Sequence, residues 1–129
     1  MKLLLDTHVF IWWDQEPARL PARVESLCTD PENTLLLSIA SVWEMQIKLM
    51  LDKLRLRGPL SQVIEQQRDN NDLQILPIEL RHVWALANLP HHHGDPFDRL
   101  LIAQSLVEDL TLVTADQRLR AYPLTTLWD

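Results

Sequence analysis

The chain has 129 residues, 47% of them apolar and 23% charged, with eight Pro, two Gly and a single Cys; this is the make-up of one ordinary globular domain, long enough to bury a core without metal or disulfide staples. The lone Cys28 excludes a disulfide-rich secreted module and favours a reducing, cytosolic setting with the thiol as core packing, and no apolar run approaches the roughly 20 residues that span a bilayer. A formal charge of -6 argues against a broad nonspecific grip on nucleic acid, so a nucleic-acid substrate would require metal ions or a local basic patch.

Residues 2–6 are a short apolar run ending in a carboxylate, and residues 7–13 follow with helical periodicity until Pro17 stops them, a strand leading into a helix. Residues 21–28 predict a second short helix, Asp30-Pro31 a turn, and residues 34–38 a second buried strand. A long helix then carries Ile39, Val42, Trp43, Ile47, Met50, Leu51 and Leu54 at three-and-four spacing, one apolar stripe stopped by Gly58-Pro59. Residues 60–70 read as a more polar helix, 73–78 as a third strand that Pro77 places at or near an edge, and 80–89 as helix. After a loop at 90–94 come an amphipathic helix at 97–110, a fourth strand at 111–114, a short helix at 116–121 and a last strand at 125–128. Strands and helices alternate, and the strands are continuously apolar. The sequence therefore predicts an α/β fold with three α/β/α layers, a mostly parallel central sheet of four to five strands covered by helices on both faces. No linker, repeat or low-complexity tract divides residues 1–129, which are expected to form a single domain.

In open parallel sheets ligands bind beyond the carboxyl ends of the strands, and four acids are predicted there. Asp6 ends the first strand, Glu44 lies in the opening turns of the helix after the second, Asp98 opens the helix before the fourth, and Asp116 follows Leu112-Val113-Thr114. Carboxylates sharing one crevice repel one another and take up protons unless hard divalent cations such as Mg²⁺ or Mn²⁺ neutralise them, and such ions polarise phosphate and activate water. Each acid also fits an ordinary structural role. Asp6 suits an N-cap; Glu44 closes capping-box spacing from Ser41 and faces Lys48 four residues on; Asp95-Pro96-Phe97-Asp98 reads as N-cap, first and third helical positions; Thr114-Ala115-Asp116-Gln117 is again capping-box-like. Their joint placement at one end of the sheet is what distinguishes them from scattered caps.

Four stretches in order resemble the PIN-domain family, and within it the VapC-type ribonuclease toxins of bacterial and archaeal toxin–antitoxin pairs. They are Leu3-Leu4-Leu5-Asp6-Thr7-His8, the Ser38-Ile39-Ala40-Ser41-Val42-Trp43-Glu44 entry to a Glu-bearing helix, Asp95-Pro96-Phe97-Asp98-Arg99-Leu100-Leu101-Ile102-Ala103-Gln104, and Leu112-Val113-Thr114-Ala115-Asp116. Together they extend the resemblance over nearly the whole chain and imply a PIN-like nuclease domain. By that resemblance Asp6, Glu44, Asp98 and Asp116 are the acidic quartet, binding one or two Mg²⁺ or Mn²⁺ ions. Asp6 and Asp98 would hold the principal metal, Asp116 would complete it or a second site, and Glu44 would position or deprotonate water. Asp95 is assigned to the helix cap, since Asp98 precedes Leu101 by three and Gln104 by six, as the family helix runs. Thr114 would support Asp116 or touch the scissile phosphate, with a capping hydroxyl as its plain alternative. The implied reaction is metal-assisted, in-line hydrolysis of an RNA phosphodiester by an endoribonuclease. A homodimer and an antitoxin whose C-terminal segment occupies the groove are implied as well.

Three consecutive residues, His91-His92-His93, cannot readily converge on one ion, and His8 reads as a packed or solvent-facing residue beside the crevice. Lys48, Lys53, Arg55, Arg57, Arg99 and Arg118 are candidate phosphate contacts, although Arg99 equally suits a neighbouring acid. Trp12, Trp13, Trp43, Trp84 and Trp128 read as core, and excess apolar surface around Leu49-Met50-Leu51 would instead mark an interface. A phosphatase of the haloacid dehalogenase type would need an acid where His8 stands, and a two-component receiver would need a late lysine that is absent beyond Lys53. The remaining rival is a PIN-like binding or scaffold module without chemistry, which would lack metal binding.

Overall fold

In the computed structural model, which describes residues 1–129, the apolar segments pair as β1 (Lys2–Leu5), β2 (Thr34–Ser38), β3 (Gln74–Leu76), β4 (Thr111–Val113) and β5 (Thr126–Leu127). They form one parallel sheet in the order β3-β2-β1-β4-β5, with β3 and its following Pro77 at an edge, as expected. Successive residues of a strand point to opposite faces. Leu3 and Leu5 accordingly enter one core with Val9, Phe10, Val24 and Val63, while Leu4 enters a second with Leu101, Ile102, Leu112 and Leu119. Both faces of β1 are buried, which is why its sequence shows no polar alternation.

The helices are α1 (Thr7–Gln15), α2 (Ala22–Thr29), α3 (Ile39–Met50), α4 (Leu60–Asn71), α5 (Leu80–Ala85) and α6 (Pro96–Glu108), with 3₁₀ turns at Pro17–Arg19, Leu86–Asn88 and Gln117–Ala121. Side chains of α1, α2 and α4 fill the first core and those of α6 the second, which completes the three layers. None of these helices is long and apolar enough to cross a membrane.

Of two expectations about α3, one fails and the other holds in part. It stops at Met50 rather than near Gly58, because Asp52 adopts the left-handed conformation (φ 54°) and the backbone closes with Asp52 N to Leu49 O (3.2 Å) and Lys53 N to Lys48 O (2.8 Å). This is a Schellman ending, usually marked by Gly but here formed by an Asp. Its apolar stripe faces the core only in part: Val42 and Leu54 pack against the first core and Ile47 is half-buried, while Ile39, Trp43, Met50 and Leu51 are exposed and the buried face is Ala40, Ser41, Glu44 and Met45. Periodicity shows that a helix has an apolar face, not what that face meets. Of the tryptophans, Trp12, Trp13 and Trp128 are half-buried and pack against the first core, whereas Trp43 and Trp84 are exposed and depart from the core reading. Cys28 is buried as expected, and burial pushes its thiol up to about 11.

A buried polar chain fixes the start of α3 to α6. Ser38 caps α3 by accepting from Ala40 N (3.0 Å) and donates to Gln104 Oε1 (2.6 Å), whose amide nitrogen donates to Pro77 O (3.2 Å) and approaches His82 Nδ1 (3.4 Å). The capping residue of α3 is therefore Ser38, and the spacing from Ser41 to Glu44 serves another purpose.

Candidate active site

Strands are added outward from β1 to β2 and β3, and the chain then returns to the other side of β1 with β4 and β5, so the topological switch lies between β1 and β4. Beyond the carboxyl ends of that pair the four sequence-predicted acids, Asp6, Glu44, Asp98 and Asp116, line one crevice of about 340 Å³. A larger concavity of about 550 Å³ opens at the amino ends of β2 and β3 and touches none of the four.

Asp6 precedes α1 but makes no capping bond; its Oδ2 accepts from Thr114 Oγ1 at 2.7 Å, across the β1–β4 junction. The cap alternative for Asp6 is thereby removed. Burial holds its carboxyl above the usual range, offset in part by the Thr114 hydrogen bond and by His8, an exposed residue of the crevice rim. Thr114 also accepts from Asp116 N (3.1 Å), so it serves Asp6 and the following turn together.

At α6 the two acids divide the work. Asp95 caps the helix, accepting from Phe97 N (2.9 Å) and Asp98 N (3.1 Å), as expected. Asp98 is left with no hydrogen bond to its carboxylate, and burial first, then Asp6, Asp95, Glu44 and Asp116, push its carboxyl up to about 7.

Glu44 is buried, with Oε1 2.7 Å from Thr7 Oγ1 and Oε2 2.9 Å from Lys48 Nζ. Since a carboxylate only accepts, the single hydroxyl proton of Thr7 goes to Glu44, and Ser41 Oγ at 2.9 Å completes the group. Asp116 caps the 3₁₀ turn at Gln117–Ala121 rather than lying within a helical first turn, and it is clamped by Arg118, with Nε at 3.0 Å from Oδ1 and Nη2 at 2.7 Å from Oδ2. That guanidinium holds the Asp116 carboxyl below the usual range.

Of the candidate phosphate contacts, Lys48 and Arg118 line the crevice. Arg57 is committed to Asp14 (2.8 Å), and Arg99 neither pairs with an acid nor reaches the crevice: it donates to Pro90 O (2.9 Å) and lies near Leu89 O, His93 O and the Tyr122 hydroxyl. Sequence reasoning missed Thr7 as a Glu44 partner and Ser38 and Gln104 as its scaffold. The available signal was Thr7 directly after Asp6 and Thr114 two residues before Asp116.

The donor set suits a hard divalent cation. Asp6 and Asp98 carry crowded carboxylates that no side-chain cation pairs, and the crevice offers carboxylate oxygens from three other acids, Glu44, Asp95 and Asp116. No three of these groups gather within 4.8 Å; only Glu79, His82 and Glu108 do so, beside α5. There, however, Arg81 pairs with both carboxylates, and His82 Nδ1 accepts from Glu79 N (3.0 Å), so Nε2 carries the proton directed to Glu108 (2.8 Å) and has no lone pair for a metal.

The sequence profile of the PIN domain matches residues 3–124. Ribonuclease VapC22 of Mycobacterium tuberculosis is 30% identical over 122 residues, covering 93% of this chain and 91% of the relative. Among solved structures, VapBC2 from Rickettsia felis bound to a DNA fragment from its promoter superposes with a TM-score of 0.74 at 18% identity, covering all of both chains. FitAcB from Neisseria gonorrhoeae superposes with a TM-score of 0.64 at 22% identity, over 97% of this chain and 96% of that one. The crevice at the switch point, the profile match and the relative shared along nearly its full length agree that the chain belongs to the PIN-domain family.

Proposed function

We propose that residues 1–129 form a single nuclease domain, a divalent-metal-dependent endoribonuclease that acts in the cytoplasm as the toxin of a toxin–antitoxin pair. Asp6, Glu44, Asp98 and Asp116 are its catalytic acids, and Asp6, Asp98 and Asp116 are the ligands for Mg²⁺ or Mn²⁺. The observation that carries this reading is Asp98: its neighbour Asp95 relieves it of capping, and it stands without a hydrogen bond among like charges at the switch point, its carboxyl raised to about 7. A site built only for stability would not leave that carboxylate unpaired.

A bound Mg²⁺ or Mn²⁺ supplies Lewis acidity toward a phosphoryl oxygen and toward water. Asp6 brings its carboxylate from the end of β1, oriented by Thr114, and Asp98 brings the facing one from the start of α6. Glu44, fixed through Thr7 and Lys48, orients the attacking water and takes its proton. Asp116, now paired with Arg118, would serve as a further ligand for the ion, and the Arg118 guanidinium on the crevice rim would then be available to an RNA phosphate.

The antitoxin partner is supported by the structural relatives, among them VapBC-5 from Mycobacterium tuberculosis, a member of a family of toxin–antitoxin systems. A homodimer is supported by the exposed apolar residues Ile39, Trp43 and Met50 of α3, Leu51 at its C-cap, and Leu80, Val83 and Trp84 at α5, helices that both pack on α6.

The test is incubation of purified, antitoxin-free protein with a mixed RNA pool in Mg²⁺ or Mn²⁺ and in EDTA, with Asp6→Asn as the contamination control. Metal-dependent cutting lost in Asp6→Asn is expected. A folded, metal-loaded protein that cuts nothing would instead favour a PIN-like binding module.

A further inference from the structure

The loop before α6 contains a buried polar atom that the proposed reaction does not use. Arg99 holds this loop from within α6 through Pro90 O (2.9 Å), and the Tyr122 hydroxyl accepts from His92 N and His93 N, each at 3.2 Å. The His93 ring packs edge-on to Tyr122 at 5.8 Å, and its side chain is only 7% exposed. Its Nδ1 accepts from Asp95 N at 3.2 Å, so in the neutral ring the proton sits on Nε2. That Nε2 is buried with no hydrogen-bond partner, and it lies 4.0 Å from Asp98 Oδ2. Orphaned buried donors are rare in folded proteins and call for an explanation.

The tautomer excludes His93 as a metal ligand, because a protonated Nε2 has no lone pair to give. It leaves the ring as a donor aimed at the one crevice carboxylate that lacks a hydrogen bond. We infer that His93 is a positioning residue, whose Nε2–H closes onto Asp98 Oδ2 when the crevice holds its cation and so turns Asp98 Oδ1 toward that cation. The inference rests on the reading of Asp98 as a ligand. A ring pinned at Nδ1 needs only a small rotation, or an equally small shift of Asp98, to turn 4.0 Å into a hydrogen bond. The Asp95-Pro96-Phe97-Asp98-Arg99 stretch then acquires a division of labour: Asp95 caps the helix and fixes the imidazole, Arg99 clamps the loop, and Asp98 receives the donor.

The test compares two substitutions in the full chain after metal is stripped. His93→Asn keeps an acceptor where Nδ1 stands, preserving the bond from Asp95 N, but removes the Nε2 donor; His93→Gln restores a donor near the Nε2 position. Calorimetric Mn²⁺ titration is expected to show His93→Asn weakened by about ten- to a hundredfold, His93→Gln close to the parent, and thermal midpoints unchanged in EDTA. Mn²⁺ binding by His93→Asn equal to the parent, or an equal loss in His93→Gln, overturns the inference while leaving the metal site standing. A parent chain that binds no Mn²⁺ overturns both. Should His93→Asn not fold, long-range ¹⁵N–¹H spectra of the parent decide: an Nε2–H that moves downfield on adding Mg²⁺ supports the inference, and an Nε2 without a proton, or one that ignores Mg²⁺, overturns it.

Discussion

Asp6 and Asp95 both stand immediately before a helix, yet only Asp95 caps one. The difference comes from Thr114, 108 residues away, which takes Asp6 Oδ2 and leaves the first N–H groups of α1 without a side-chain cap. Removing that hydroxyl withdraws the bond that favours ionised Asp6 and leaves burial to raise its carboxyl further. Thr114→Val is therefore expected to shift the acid limb of metal-dependent RNA cleavage to higher pH, with Thr114→Ser close to the parent; a pH–rate profile checks this. Asp98→Asn is expected to abolish cleavage while far-ultraviolet circular dichroism stays unchanged, because Asp95 retains the cap. Sequence patterns placed Asp6, Glu44, Asp98 and Asp116 at one end of the sheet, where they line one crevice together with Asp95, but patterns alone could not separate caps from free carboxylates, since both uses place Asp at the same helical positions. The deciding contacts, Thr7 to Glu44 and Thr114 to Asp6, join segments far apart in the chain.

At the scale of elements, the strands were legible because each carries its apolar residues in one unbroken run close to turn residues, and the parallel arrangement followed from their alternation with helices. The ends of α3 were not. Its stop depends on an Asp in the left-handed region, and no glycine marks it. Its orientation depends on Ala40 and Ser41 allowing close approach and on Glu44 reaching the crevice, so Met45 enters the core while Ile39, Trp43 and Met50 are left outside. What fixes this helix is the Ser38–Gln104 contact rather than the expected box from Ser41. Gln104→Leu deprives the buried Ser38 hydroxyl of its acceptor and Pro77 O of a donor, and is expected to cost about 1–3 kcal/mol in urea unfolding. Cleavage should fall as well, because Glu44 lies on the helix that loses its tether.

For the whole molecule, the crevice makes stability depend on pH and metal. Asp98 titrates at about 7 in the fold, whereas in the unfolded chain it titrates near 4, so between these values the native state holds a proton that the unfolded chain has lost. The stability so contributed is complete below about pH 4 and is lost as the pH rises through 7. Asp6 acts in the same direction, while Asp116, held down by Arg118, loses its contribution only in acid. In EDTA, thermal midpoints are expected to fall between pH 5 and pH 8, less so in Asp98→Asn, and Mg²⁺ should restore the parent at pH 8; differential scanning calorimetry reads all three. Met50 is exposed on the outward face of α3, so Met50→Glu is expected to leave the monomer folded and to convert a dimer to monomer in analytical ultracentrifugation. The measurement closest to the chemistry is the structure of the RNA ends formed in ¹⁸O-labelled water. Hydrolysis directed by the four acids and a divalent ion should yield linear terminal phosphates carrying one solvent oxygen, in Mg²⁺ and not in EDTA. Cutting that persists in EDTA, or ends closed as 2′,3′-cyclic phosphates, would contradict it.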